Sequence, residues 1–431
     1  MNVIPCIATG MLLLTTWSIF ATEAIGQDIA GSPELKGVPA EIAQGILEAN
    51  KAAKIEKPID NKDPLSSGLI FLDHLGGDLD FECKLRLRYV KVLLAEKRLQ
   101  QAENLARTIA DYRSAIGALL VLEQRIIKGD KKDAVLILRQ VESDLGRWKD
   151  WQRDIVKKQL AGVGALAGMD ESDLAAWLTG YELESDRLGA VALAQVQRVC
   201  QGARFDLEEL KKKLSDGFGS VQGLPVPEMV EAASKLFVYA TRQVEIHGNQ
   251  EETGKFFDGV GWLLERSNAY HADLLLDMSR FWVQQDKEEE AKVTFEKAFG
   301  QLGFHLEGGG ERYFKMVEIW KLRAKEQALG SYLEKLEGVA RSQQPMDQPG
   351  ALAWLGACYT KLGNEGKANE LFREAVQIAS VNPNHRMKHR GCIEVCLCHA
   401  RLDRELSPEL TIALESVLRG EALVLNGANN D

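Results

Sequence analysis

Several things are missing from this chain, and each absence removes a class of function. It has no excess of basic residues: 53 Lys and Arg face 63 Asp and Glu, for a net charge of −10. Binding of nucleic acid over the whole surface is thereby disfavoured, because that attraction needs a positive face. It contains no HExxH, GxSxG, GxGxxG or phosphate-loop pattern, so no short catalytic or nucleotide-binding motif marks a site. Hardly any segment alternates apolar and polar residues at period two between turn signals, which argues against a β-domain. Charges recur every few residues after Glu23, which excludes a multi-pass membrane protein. Proline is absent from Leu65 to Leu224. A proline-free stretch rich in Leu, Ala, Lys, Glu, Gln and Arg favours helix after helix.

What is present begins with an uncharged leader. Residues 1–22 hold no charged side chain, and Met11-Leu12-Leu13-Leu14, Trp17, Ile19 and Phe20 form an apolar stretch before the small residues Ala21, Ala24 and Gly26. This reads as a signal peptide over 1–26, cleaved near Ala24 or Gly26, with an N-terminal anchor over residues 3–22 as the alternative. The n-region departs from the usual pattern in having no Lys or Arg. Cys6 precedes the apolar stretch, so no lipoprotein site follows it. The expected location is periplasmic or extracellular. The mature chain would keep six cysteines, Cys83, Cys200, Cys358, Cys392, Cys396 and Cys398. That is too few for a disulfide scaffold of this size and fits small buried apolar residues.

Proline and glycine punctuate the 431 residues into an organisation. Pro33, Pro39, Pro58 and Pro64 mark an extended, irregular lead-in over 27–64 with one short helix. A helical-repeat block is expected over 65–222, a hinge at 223–228 around Pro225 and Pro227, and a second helical block over 229–431. Ser407-Pro408 has the form of a helix start, with Ser at the N-cap and Pro in the first turn.

The clearest internal unit is 351–383. Leu352, Leu355, Gly356 and Tyr359 lie on a first helix, and Ala368, Phe372 and Ala375 on a second, with Gly363-Asn364 as the break and Pro383 as the close. Gly356 and Ala368 are small where two antiparallel helices would cross, and Tyr359 and Phe372 would fill the space beside them. This unit closely resembles the tetratricopeptide repeat (TPR). A second unit, 272–300, fits with Leu275, Met278, Ser279 and Trp282, then Ala291, Phe295 and Ala298. Weaker matches place Ala102 and Ala106 after Glu96-Lys97-Arg98, and Ala134 and Leu138 after Gly129-Asp130. The expected fold is all-α: an α-solenoid of stacked antiparallel helix pairs in two blocks.

The resemblance implies binding of a protein or peptide by contact along a concave face lined by first helices. The family's Lys/Asn clamp for a peptide carboxylate is absent at the equivalent positions, which hold Ala353, Ala357 and Thr360 in one unit and Leu276, Arg280 and Val283 in the other. What survives there is an apolar groove with Arg280 as an anchor. The densest basic run, Arg386, Lys388 and Arg390 with the histidines among them, is a second candidate for docking an acidic partner. No catalytic residue, cofactor or nucleic-acid partner is assigned. His385, His389, Cys392 and Cys396 fall on one helical stripe, with Cys398 and His399 beside them, and have the chemistry of zinc or copper ligands. One straight helix cannot wrap four ligands around an ion, so a packing seam is the plainer reading. Asp73, Asp78, Asp80 and Glu82 around Gly76-Gly77 read as a turn and helix cap rather than a calcium loop, and Gly308-Gly309-Gly310 as a connection. The tryptophans read as core. The competing class is an all-helical polysaccharide-processing enzyme with a carboxylate pair in a central cleft.

Overall fold

A computed structural model describes residues 58–75, 78–248, 251–302, 314–319 and 326–421. The leader, most of the lead-in and the three-glycine segment therefore lie outside the described residues. All regular structure among those described is helical, with no strand among them.

Local chemistry sets the helix boundaries. Asp63, Asp170, Asp206, Asn364, Asn384 and Ser407 each accept from a backbone N–H in the first turn of the helix they precede. These are the orphan donors that a helix start leaves unpaired. Asp78 does the same for the N–H groups of Asp80 and Phe81. Gly363 closes a helix at φ +80°, where a side chain would be strained.

The chain divides into two compact units: residues 83–303 form one, and residues 1–82 with 304–431 the other. The segment 223–228, expected as a hinge, falls inside the first of these, where the Val226 N–H donates to the Ser267 carbonyl at 2.6 Å.

The described helices are numbered in chain order, beginning with α1 (Pro64–Asp73) and α2 (Leu79–Ala95). Within the 83–303 unit follow α3 (Leu99–Ala106), α4 (Arg113–Ile127), α5 (Ala134–Asp144), α6 (Asp150–Ala167), α7 (Glu171–Leu178) and α8 (Glu184–Cys200). Then come α9 (Leu207–Val221), α10 (Pro227–His247), α11 (Glu251–Ser267), α12 (Ala272–Gln284) and α13 (Glu288–Leu302). Helices α4, α6, α8, α10 and α12 pack side by side in that order, and each of α5, α7, α9, α11 and α13 packs on the helix before it. The core runs from Leu119, Leu122 and Leu138 through Val156, Leu160 and Leu166 to Trp177. Gly164 is where the Trp177 ring comes down on α6: a Cβ there would sit 2.6 Å from the ring. Phe237, Phe257, Phe281 and Trp282 join α10, α11 and α12, with ring centroids 4.8–6.2 Å apart. Trp151 departs from the expected pattern: it is 50% exposed and meets Tyr112 only edge-on.

The other unit contains α1, a helical stretch at 314–319, α14 (Glu326–Arg341), α15 (Gln348–Lys361), α16 (Glu365–Ser380), α17 (His385–Arg401) and α18 (Pro408–Leu418). The expected hairpin is present as α15 and α16. Gly356 lies where a Cβ would meet the Ala368 carbonyl and the Phe372 ring, both at 3.2 Å. Leu355, Ala368, Phe372 and Ala375 are buried, and Tyr359 is half-buried. The equivalent crossing in α12 and α13 is marked by Ser279, whose hydroxyl donates to the Ala291 carbonyl at 2.8 Å. Helix α17 packs on α15, α16 and α1. The Trp354 indole donates to Glu394 on α17 at 3.0 Å, and the Leu406 N–H donates to the Asn61 carbonyl at 2.8 Å.

Candidate functional site

The site candidates chosen from the sequence fall mostly in the second of these units. There the inner positions of α15 are not open: Ala353 and Ala357 are fully buried, and Thr360 turns its hydroxyl to the Gly356 carbonyl. Leu276 on α12 is buried as well. These positions serve packing between helices, and the helices packed against α15 include α17. Arg280 is half-buried. Arg386 and Arg390 form ion pairs with Asp78 at 3.5 Å and Asp347 at 3.1 Å, while Lys388 is half-buried. The arginines of the basic run thus join α17 to adjacent segments of its own unit.

The His/Cys stripe on α17 is an interior seam. Cys392 and Cys396 are fully buried. Burial pushes the Cys396 thiol up to about 12 and Cys392 well above its ordinary value. His389 accepts α1 as its neighbour: its Nδ1 lies 3.0 Å from the His74 carbonyl and its ring 5.7 Å from Phe71. Burial first, then the nearby His385 and His74, lower its pKa to about 3. Among the described residues, no three His, Cys, Asp or Glu side chains converge as a metal site. The six described cysteines are all free thiols.

The open site lies elsewhere, in the 83–303 unit. A groove of ≈ 650 Å³ is lined by α2, α4, α8 and α10, with the ends of α3 and α6. Its floor carries a buried polar knot. Glu123 on α4 is 5% exposed and pairs with the Lys235 amine from α10. Gln197 on α8 donates its amide to the same carboxylate oxygen at 2.6 Å. Lys235 also lies 3.6 Å from Glu231, which receives the Gln159 amide from α6 at 2.9 Å. Burial works against the charge on Lys235, but Glu123 and Glu231 outweigh it and hold the amine above its ordinary value. Four helices of the row are thus fixed to one another beneath the groove.

A second knot lies along the same helices. The Lys158 amine on α6 is held between Asp186 on α8 and Glu228 on α10, at 2.6 Å from each. Gly189 admits Glu228: a Cβ at 189 would lie 2.6 Å from the Glu228 Cβ. Nearby, Asp154 accepts from the Glu182 N–H at 3.1 Å, while its other oxygen has no hydrogen-bond partner.

Above the groove floor the wall is apolar and the rim is basic. Ile127 and Val238 are 39% and 44% exposed, and Tyr239 stands beside them. Lys91, Lys97, Lys128 and Arg242 line the groove, and all four are exposed. None of them forms an ion pair among the described residues, and Glu123 is the groove's single carboxylate. Cys200 is half-buried in the wall, its thiol raised to about 11 chiefly by burial. This groove was not visible in the sequence. Its one local signal is Glu123 inside the apolar run LLVLEQRII, since a lone carboxylate in such a run needs a buried partner.

Comparison with protein-family models, with curated proteins and with solved structures finds no match. The groove's own chemistry therefore carries the functional argument. No described helix is long and apolar enough to cross a membrane.

Proposed function

We propose that this chain is a TPR-like interaction scaffold, exported by its leader, that binds a protein or peptide partner by contact and catalyses no reaction. The observation that carries the reading is the groove on α2, α4, α8 and α10. Helices α4, α8 and α10 of the side-by-side row supply its walls together with α2, with only the end of α6 reaching it, and a surface shared by several packed helices is what stacked helix pairs offer in repeat proteins. Exposed apolar side chains and unpaired cations share one concavity, which suits an extended chain. The single carboxylate is neutralised by Lys235, and no tryptophan lines the walls, an arrangement that does not favour the two-carboxylate cleft of a polysaccharide-cleaving enzyme.

The test is affinity purification of the full chain from its source, followed by binding of the purified co-eluting protein to the wild type and to Val238→Asp. Binding by the wild type that is lost in the variant supports the reading. Turnover of a polysaccharide, abolished by changing one carboxylate to its amide, overturns it. Export is checked by N-terminal sequencing of native protein, which is expected to begin near residues 25–27.

A further inference from the structure

We infer that the groove selects an acidic, amphipathic peptide segment, recognised through its side-chain carboxylates. This rests on the scaffold reading and names its ligand. The argument starts from charge. The chain as a whole carries −10, yet Lys91, Lys97, Lys128 and Arg242 all converge on one concavity without an internal counter-charge. The carboxylate that could balance them is below them, engaged by Lys235 and Gln197. Four unpaired cations around a concave wall create a local field of sign opposite to the protein's average, which attracts carboxylates and repels basic chains.

The apolar component decides between polyanions. Ile127 and Val238 expose large aliphatic surfaces inside the ring of cations. An acidic peptide with Leu or Ile between its carboxylates would bury these surfaces and meet the cations at once. A nucleic acid would need stacking platforms. Tyr239 is the groove's one aromatic ring, and Phe256 already meets it edge-on with centroids 5.2 Å apart. The concavity also disfavours a flat lipid surface. The cations come from α2, the α2–α3 turn, the end of α4, and α10. A ligand touching all of them must be extended across several helices. Recognition by side chains also separates this site from a clamp on a terminal carboxylate.

The test uses the full chain and fluorescence anisotropy with labelled, C-terminally amidated peptides. One probe alternates Asp or Glu with Leu or Ile. A second replaces each acid with its amide, a third with Lys, and the fourth probe is a single-stranded oligonucleotide. The acidic peptide is expected to bind at least about tenfold more tightly than its amide counterpart. It should weaken when salt rises from about 0.05 M to about 0.5 M, as the Debye length shrinks. The triple variant Lys91→Glu, Lys128→Glu, Arg242→Glu should lose about tenfold or more in affinity with an unchanged melting temperature, because these side chains make no internal ion pair. Bound acidic peptide should also protect Cys200 from maleimide, Cys200 being the one described cysteine that is not buried. Equal binding of acidic and amide peptides, both lost in Val238→Asp, would overturn the inference and leave the scaffold reading standing. Tighter binding of the oligonucleotide, lost in the triple variant, would overturn both. If no peptide binds, the inference falls, and the scaffold reading is decided by the captured partner alone.

Discussion

The Lys158 knot gives the most exacting check on how the groove-bearing unit is held together. Its amine, with the side chain 5% exposed, bridges Asp186 and Glu228, which are 23% and 16% exposed. Burial opposes the charge, but Glu228 and Asp186 prevail and keep the amine above its ordinary value of 10.5. Stability from this group is therefore complete at neutral pH and would be lost only as pH climbs into the alkaline range. Replacing Lys158 with Met keeps most of the volume and removes the charge. Two carboxylates from neighbouring helices are then left facing each other with little water. Removing one partner of a buried pair costs about 3–5 kcal/mol. The residual exposure of Asp186 places the expected loss near the lower end, about 3 kcal/mol. With a urea slope of about 3 kcal/mol/M, the unfolding midpoint of this unit should fall by about 1 M.

The pH dependence of the variant gives the sharper signature. Like charges raise each other's proton affinity, so the orphaned carboxylates hold protons in the folded state that they release on unfolding. The variant's folded state then binds more protons than its unfolded state over mildly acidic pH, and its stability falls as pH rises. The difference from wild type should accordingly narrow at about pH 4 and widen towards pH 7. Adding Asp186→Asn and Glu228→Gln to Lys158→Met should recover much of the loss. A midpoint within error of wild type, or a gap that stays constant from acid to neutral pH, would show that the knot does not hold these helices as described.

Two further outcomes are expected. Gly189→Ala places a methyl against the Glu228 Cβ, and the overpacking should cost about 1–3 kcal/mol despite the gain of up to about 1 kcal/mol in helix propensity, read by urea unfolding. In the other unit, His389 is held neutral, with a pKa near 3 against an ordinary 6.5, so the unfolded chain binds more protons between those values and stability is lost as pH falls through them. His389→Gln removes that titration and should flatten the acid limb of the stability profile. An unchanged limb would mean that other groups set it.

Much of the helical architecture could be read from the sequence because its signals are local. The α15–α16 hairpin follows from small residues at a crossing, a Gly363-Asn364 break and apolar spacing, all within about thirty residues. The Ser407-Pro408 start needed two adjacent residues. The groove is a different kind of object. Glu123 and Lys235 meet across 112 positions, and no period in the chain announces that pairing. The inner positions of the clearest repeat carry no ligand clamp, and with α17 packed on α15, Ala353 and Ala357 serve packing. The basic run at Arg386–Arg390 is the densest in the chain, yet Asp78 and Asp347 pair with its arginines. Density of charge along a chain does not reveal whether counter-charges come from elsewhere. The four rim cations are isolated in sequence and are brought together only by the stacking of helices.

The hydrogen bond from Leu406 to Asn61, and the packing of α17 on α1, have a consequence for synthesis. The 83–303 unit is an insertion within the covalent path of the other. As the chain leaves the ribosome, α1 emerges early, and its partner α17 emerges only after the whole insertion has passed. The insertion is compact in itself and can condense while α1 still waits for α17. A chaperone or a transient local contact would have to shield that helix during the interval. Closing so long a loop adds little entropic cost beyond that of a shorter one, but it makes assembly of the discontinuous unit late and dependent on a completed C-terminal segment. Messages truncated after residue 303 should therefore yield a folded insertion preceded by an α1 that lacks α17, a natural substrate for quality-control proteases.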